Sequence, residues 1–228
     1  MPFSDLPTRL VEIRARIAHA VARGGHSQGV SIVAVTKTFG PDAVRAAVDA
    51  GLADIGENKV QEALGKQAAV ALPIRWHLIG HLQRNKVKAL EHFHLFHALD
   101  SARLADAVDA WARGRDARAC VLMQVNVAGE ETKGGFALDE IEREGERLRG
   151  LAGLAVTGAM TMAPYDAPES VLRTCFAGVR RANELLAAAG HPATELSMGM
   201  SSDYPIAVEE GATLVRLGTV LFGERSRW

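Results

Sequence analysis

The chain has 228 residues, long for two domains and ordinary for one α/β barrel, which takes about 250 residues. Hydrophobic residues make up 48% and charged residues 23%, and 26 basic against 27 acidic side chains leave a formal charge of −1, so one core is easily filled and nothing favours a nucleic acid or other polyanion as main partner. Two cysteines are too few for a disulfide framework, and no apolar run is long enough to cross a membrane.

Asp5 and Arg9 interrupt the first ten residues, which lack the apolar core of a signal peptide. The expected location is the cytoplasm, with Cys120 and Cys175 as buried free thiols. Residues 6–22 form an amphipathic helix: Leu6, Leu10, Ile13 and Ile17 recur three and four apart, with Arg9, Glu12, Arg14 and Arg16 between them. Gly24, Gly25 and Gly29 break it.

Short apolar runs then alternate with Ala-rich helical ones. Strands are expected at 31–35, 53–55, 74–79, 93–98, 120–127, 154–160, 195–197 and 214–217. The intervening helices fall at 41–50, 59–70, 85–90, 101–113, 138–149, 170–189 and 204–211, and only a short tail follows the last strand. Ser101 suits an N-cap, and Gly51, Gly190 and Gly211 stand where C-terminal glycines belong. The expected fold class is α/β: a single (β/α)8 TIM-type barrel over residues 1–228 with an extra N-terminal helix. An open doubly wound sheet is the alternative, weakened because no G-x-G-x-x-G follows a strand.

In such a barrel, polar groups just past the strand C-termini share one mouth. Val33, Val35 and Lys37 lie on one face of the first strand. A lysine continuing an apolar row is either a snorkelling strand end or a desolvated amine able to form a Schiff base with an aldehyde. Asn58, after the second strand, either caps a helix or contacts a ligand. His77 on the third strand reads as a core histidine, and Gly80 allows a close turn over the mouth. Ser197-Met198-Gly199-Met200-Ser201-Ser202 and Arg216-Leu217-Gly218-Thr219 follow strands seven and eight, where barrels often bind phosphate. Either segment alone is equally a helix cap or a turn. Together with Lys37 they suit a phosphorylated aldehyde.

These segments, with Gly56-Glu57-Asn58-Lys59-Val60-Gln61-Glu62, Trp76-His77-Leu78-Ile79-Gly80-His81-Leu82-Gln83, Asn126, Gly129 to Gly135 and Gly158-Ala159-Met160-Thr161-Met162, resemble the signatures of the pyridoxal phosphate homeostasis protein family, also called the YggS/PROSC family. The resemblance runs in order along nearly the whole chain. Lys59 stands where tyrosine is frequent and Gly134 where histidine is common. It implies a fold like the N-terminal barrel of alanine racemase and pyridoxal 5′-phosphate as cofactor. Lys37 would be the Schiff-base lysine, Ser201, Gly218 and Thr219 would hold the phosphate, and Arg216 would face the pyridine nitrogen. Asn58 would lie near the ring, with Met200 and His77 as wall residues.

The implied function is a carrier or buffer of pyridoxal phosphate that supplies apo-enzymes. A weak amino-acid racemase is the alternative, and a cofactor-free Schiff-base aldolase a third. Racemisation needs proton-transfer groups on both faces of a planar carbanion. In alanine racemases the second is a tyrosine from a further domain of the partner subunit, and neither Tyr165 nor Tyr204 matches it by motif. A non-catalytic monomer is therefore expected.

Other charged groups have simpler readings. His92 and His94 share a face of the fourth strand, half of a metal site at most, with His97 nearby. Arg84, Lys86 and Lys88 suit a solvated surface, and Arg143, Arg147 and Arg149 interleave with Glu142, Glu144 and Glu146 as helix ion pairs. Arg225 and Arg227 form a basic tail with no assigned role.

Overall fold

The structure, a computed structural model, describes residues 3–130 and 134–224. Arg225 and Arg227, and the Glu131-Thr132-Lys133 part of the family signature, lie outside the described residues. Eight parallel strands close in chain order into a barrel: β1 (Ser31–Val35), β2 (Asp54–Glu57), β3 (Arg75–Leu78), β4 (Leu95–Leu99), β5 (Ala119–Gln124), β6 (Leu154–Met160), β7 (Glu195–Ser197) and β8 (Leu214–Leu217). Closure comes from β1 on β8, in register from Ser31 against Leu214 to Ala34 against Leu217. All four residues of β2 and of β8 and all five of β4 are buried, as strands covered on both faces require.

The connecting helices are α2 (Pro41–Asp49), α3 (Val60–Ala69), α4 (Ala102–Arg113), α5 (Ile141–Arg149), α6 (Glu169–Ala188) and α7 (Tyr204–Glu209). The extra helix α1 (Leu6–Gly24) precedes them and buries Leu6, Leu10, Ile13 and Ile17, the stripe its spacing predicts. It packs on α7 and on the final short helix α8 (Thr219–Phe222). Gln28 ties the loop after α1 to the carbonyls of Val208 and Ala212 at 2.8 and 3.3 Å. Among the described residues no helix is long and apolar enough to cross a membrane.

Four expectations change. The helix expected at 85–90 is a 3-10 segment, Arg84–His92, whose buried Val87 and Leu90 are three apart, a spacing that one 3-10 turn repeats. α5 is preceded by a separate 3-10 turn at Leu138–Glu140. The stretch after the last strand coils into α8 rather than running out as a tail. Cys175 is buried, but Cys120 is exposed because it enters β5 at the solvent-facing strand start. Arg143, Arg147 and Arg149 do pair with Glu140, Glu144, Asp106 and Glu146.

Candidate functional site

The C-terminal ends of the strands surround a cleft of about 560 Å³. Lys37, Asn58, Met200, Ser201, Arg216, Gly218 and Thr219 all line it. Sequence reasoning missed Ile79 and Met162, which supply apolar wall, and Tyr165 and Val220. His77 is not a wall residue: it is buried inside the barrel, because its strand position faces inward below the mouth.

Lys37 stands two residues past β1. The ladder continues one step beyond the strand through Thr36 N–H to the Gly56 carbonyl, 3.2 Å, and the chain then turns at Thr38 with φ 71°. A buried lysine, Lys66 of α3, clamps this turn from below. Its Nζ donates to the Thr36 carbonyl at 2.7 Å, to Glu57 Oε1 at 2.6 Å and to Glu62 Oε1 at 2.8 Å. Glu62 Oε1 also accepts from the Thr38 amide, so Lys37 sits between two backbone groups held by one network. Burial pushes the Glu57 carboxyl up, against the hydrogen bonds of Lys66 and Thr36. The helix α3 starts from Lys59, not Asn58, which leaves Asn58 on the cleft wall. Gly80 crosses Asn58 so closely that a Cβ there would lie 2.4 Å from the Asn58 carbonyl oxygen.

At the neighbouring strand ends, Ser201 Oγ accepts the amides of Gly218 and Val220 at 3.3 and 3.2 Å. The cap of α7 is Asp203, whose Oδ1 accepts the Met200 amide at 2.6 Å, so neither Ser201 nor Ser202 is used as the cap. Ser201 Oγ thus occupies two amides at the start of α8, in a cup lined as well by Thr219; the cup's amides and hydroxyls are the groups an anion would engage in its place.

Arg216 forms the cationic wall. It is buried, and its Nη1 and Nη2 donate to Ser197 Oγ at 2.6 Å and to the Thr161 carbonyl at 2.8 Å. Burial brings its pKa down to about 10, against the attraction of Asp203, so it stays charged at neutral pH. Guanidinium has five N–H donors, and these two bonds leave three.

The histidines expected around β4 diverge. His97 is fully enclosed in the barrel, His94 stacks edge-on to His77 at 5.7 Å, and His92 points to Glu91 at 3.6 Å. Among the described residues no three His, Cys, Asp or Glu side chains converge on a metal position.

At the strand N-termini, Asp54 accepts two bonds from Arg75, both 2.6 Å, and one from His77, 2.9 Å. Burial would raise its pKa, but these bonds prevail and lower it to about 2. A carboxylate depressed in this way stabilises the fold above its unfolded pKa, and that contribution disappears as pH falls through the folded value. Asp54→Asn is expected to cost about 2 kcal/mol at pH 7, and the gap to the parent chain should narrow steadily between about pH 4 and 2. Urea titrations of both chains across that range would measure it; a gap constant with pH would contradict the assignment.

Residues 9–226 match the family model described as alanine racemase, N-terminal domain. The chain therefore belongs to the barrel class of that domain. Within it, the chain belongs to the pyridoxal phosphate homeostasis protein family. The protein of that name from Aquifex aeolicus is 41% identical over 222 residues, 95% of this chain and 97% of the relative. Its counterpart in Pseudomonas aeruginosa is 39% identical over 97% of this chain and 96% of its own length. A solved structure of PipY from Synechococcus elongatus PCC7942 with PLP bound superposes with a TM-score of 0.83 at 36% identity, covering 96% of this chain and all of that one.

Proposed function

We propose that this chain binds pyridoxal 5′-phosphate in the cleft and acts in the cell's pyridoxal phosphate homeostasis. The observation that carries the reading is one cleft lined by a lysine amine, an amide-and-hydroxyl cup and a buried guanidinium. Its size, about 560 Å³, suits a small cofactor. A ligand with an aldehyde, a ring-nitrogen acceptor and a phosphate uses all three features. The relatives' name and the PLP-bound neighbour support it.

In this reading Lys37 Nζ condenses with the aldehyde as a Schiff base, releasing water. Ser201, Gly218 and Thr219 hold the phosphate. Arg216 donates to the ring nitrogen, and its permanent charge disfavours a proton there. Asn58 and Met200 flank the ring. When bound, the cofactor supplies an aldehyde for amines and a ring able to accept electron density. An unprotonated ring is a poorer electron sink, which suits storage better than carbanion chemistry. The barrel is the protein's single domain, works in the cytoplasm as a monomer, and passes its cargo to apo-enzymes.

The alternative, a weak racemase, requires a second proton-transfer group facing Lys37. Tyr204 is buried, and Tyr165, the tyrosine on the cleft rim, is 90% exposed and so hydrated. Borohydride treatment of the loaded chain followed by peptide mapping tests the main reading. A reduced adduct on Lys37 is expected, and an adduct confined to other lysines would overturn it. Rapid α-deuterium exchange into alanine, lost in Lys37→Ala, would favour the racemase.

A further inference from the structure

We propose that Asp54, His77, His97 and Ser197 form a one-directional hydrogen-bond relay through the barrel interior that positions Arg216 in the cleft wall. The four residues come from β2, β3, β4 and β7, and Arg216 from β8. Asp54 Oδ1 lies 2.9 Å from His77 Nε2, His77 Nδ1 lies 2.9 Å from His97 Nε2, and His97 Nδ1 lies 2.9 Å from Ser197 Oγ. Ser197 Oγ lies 2.6 Å from Arg216 Nη1. Asp54, His77, His97, Ser197 and Arg216 are all buried.

The two ends fix the direction when both rings are neutral. A guanidinium has no acceptor, so Arg216 donates to Ser197. An ionised carboxylate has no donor, so Asp54 accepts from His77 Nε2–H. With both rings neutral, His77 Nδ1 then carries the lone pair and must accept from His97 Nε2–H. His97 Nδ1 in turn accepts the Ser197 hydroxyl proton. Every donor finds one acceptor, and each lone pair faces toward the cation. The reverse order would aim the His77 Nε2 lone pair at the carboxylate unless an extra proton entered.

Full burial favours a neutral ring at His97. His97 is held well below its ordinary pKa, first by burial and then by His77, Arg216 and His94. His77 meets Asp54, His97 and the His94 ring, whose own pKa is lowered by burial and by His77. Arg75 stabilises the ionised end through its paired bonds to Asp54. Asp203 acts on Arg216 through space, its Oδ1 being taken by the Met200 amide. The hydrogen-bonded link between the buried cation and a carboxylate is therefore the relay, and aligned bonds of this kind polarise one another.

The test needs no ligand, so its failure is distinct from failure of the cofactor reading. Nitrogen-15 spectra of the imidazoles in the ligand-free chain are expected to show His77 and His97 each as the neutral Nε2–H tautomer. In Asp54→Ala the Nδ1–H population of His97 should rise severalfold, although residue 54 does not bond to His97. Arg75→Gln retains the carboxylate and should leave His97 unchanged. Ser197→Ala should release the His97 tautomer, and Ser197→Thr, which keeps the hydroxyl, should restore it. A parent spectrum with the His97 proton on Nδ1 overturns the proposal whether or not any variant folds. So does a folded Asp54→Ala chain whose His97 tautomer is that of the parent.

Discussion

Lys37→Ala is expected to leave the melting temperature nearly unchanged, to abolish the borohydride-reducible adduct, and to weaken pyridoxal phosphate binding by at least tenfold. The fold survives because Lys37 is only half-buried in a turn whose backbone is held by other groups: Thr36 by Gly56 and Lys66, Thr38 by Glu62. Binding survives in weaker form because the cup of Gly218, Val220 and Ser201 and the Arg216 guanidinium do not depend on the amine. Loss of the covalent link removes at least 1.4 kcal/mol, the equivalent of a factor of ten. The absorbance band of the imine should vanish, while equilibrium dialysis still detects ligand at higher concentration. Lys37→Arg keeps a cation but no nucleophilic amine, so it should behave as Lys37→Ala does in the reduction assay. An adduct that persists in either variant would move the attachment point to another lysine.

The barrel was legible because its strands and helices differ in period. β1, β6, β7 and β8 fall where short apolar runs place them, and α1 buries the residues its three-and-four spacing selects. Alternation along one strand brought Lys37 to the mouth with two readings open, and serine and glycine at the two loops where barrels bind anions pointed to the cup. What stayed hidden arises between strands. The bonding of His77 to His97, twenty residues apart, depends on the side-by-side packing of β3 and β4, and no local pattern signals it. The third partner of that pair is the serine of β7, a hundred residues from His97. Lys66 escaped notice for a similar reason. In an Ala-rich helix a lysine reads as surface, and only the tertiary fold brings Glu57 beneath it.

Lys66→Ala is expected to destabilise the chain by about 3–5 kcal/mol, because removing one partner of a buried ion pair strands the other. Lys66 is 4% exposed and Glu57 fully enclosed, so neither charge has water to fall back on. Glu57 Oε2 already lacks a hydrogen-bond partner among the described residues, and its Oε1 would keep only the Thr36 hydroxyl. Ionised Glu57 contributes with the opposite sign to ionised Asp54, although both defects shrink in acid. Glu57 has a raised pKa in the fold, and losing the cation raises it further. A carboxyl whose folded pKa exceeds its unfolded one costs stability at high pH and recovers it as pH falls below the folded value. The defect of Lys66→Ala should therefore be greatest at neutral pH and shrink in acid, where Glu57 is protonated. Lys66→Met combined with Glu57→Gln should regain most of the loss, since it removes both charges and keeps the volume. Function would separate from stability in that double variant. The Thr36 carbonyl and the Thr38 amide would no longer be tied through one ammonium, so Lys37 should capture the aldehyde more slowly even in a well-folded chain. Melting curves at several pH values, paired with the rate at which the imine band appears, would measure both effects; a double variant with parental stability and parental capture rate would show that the clamp does not position Lys37.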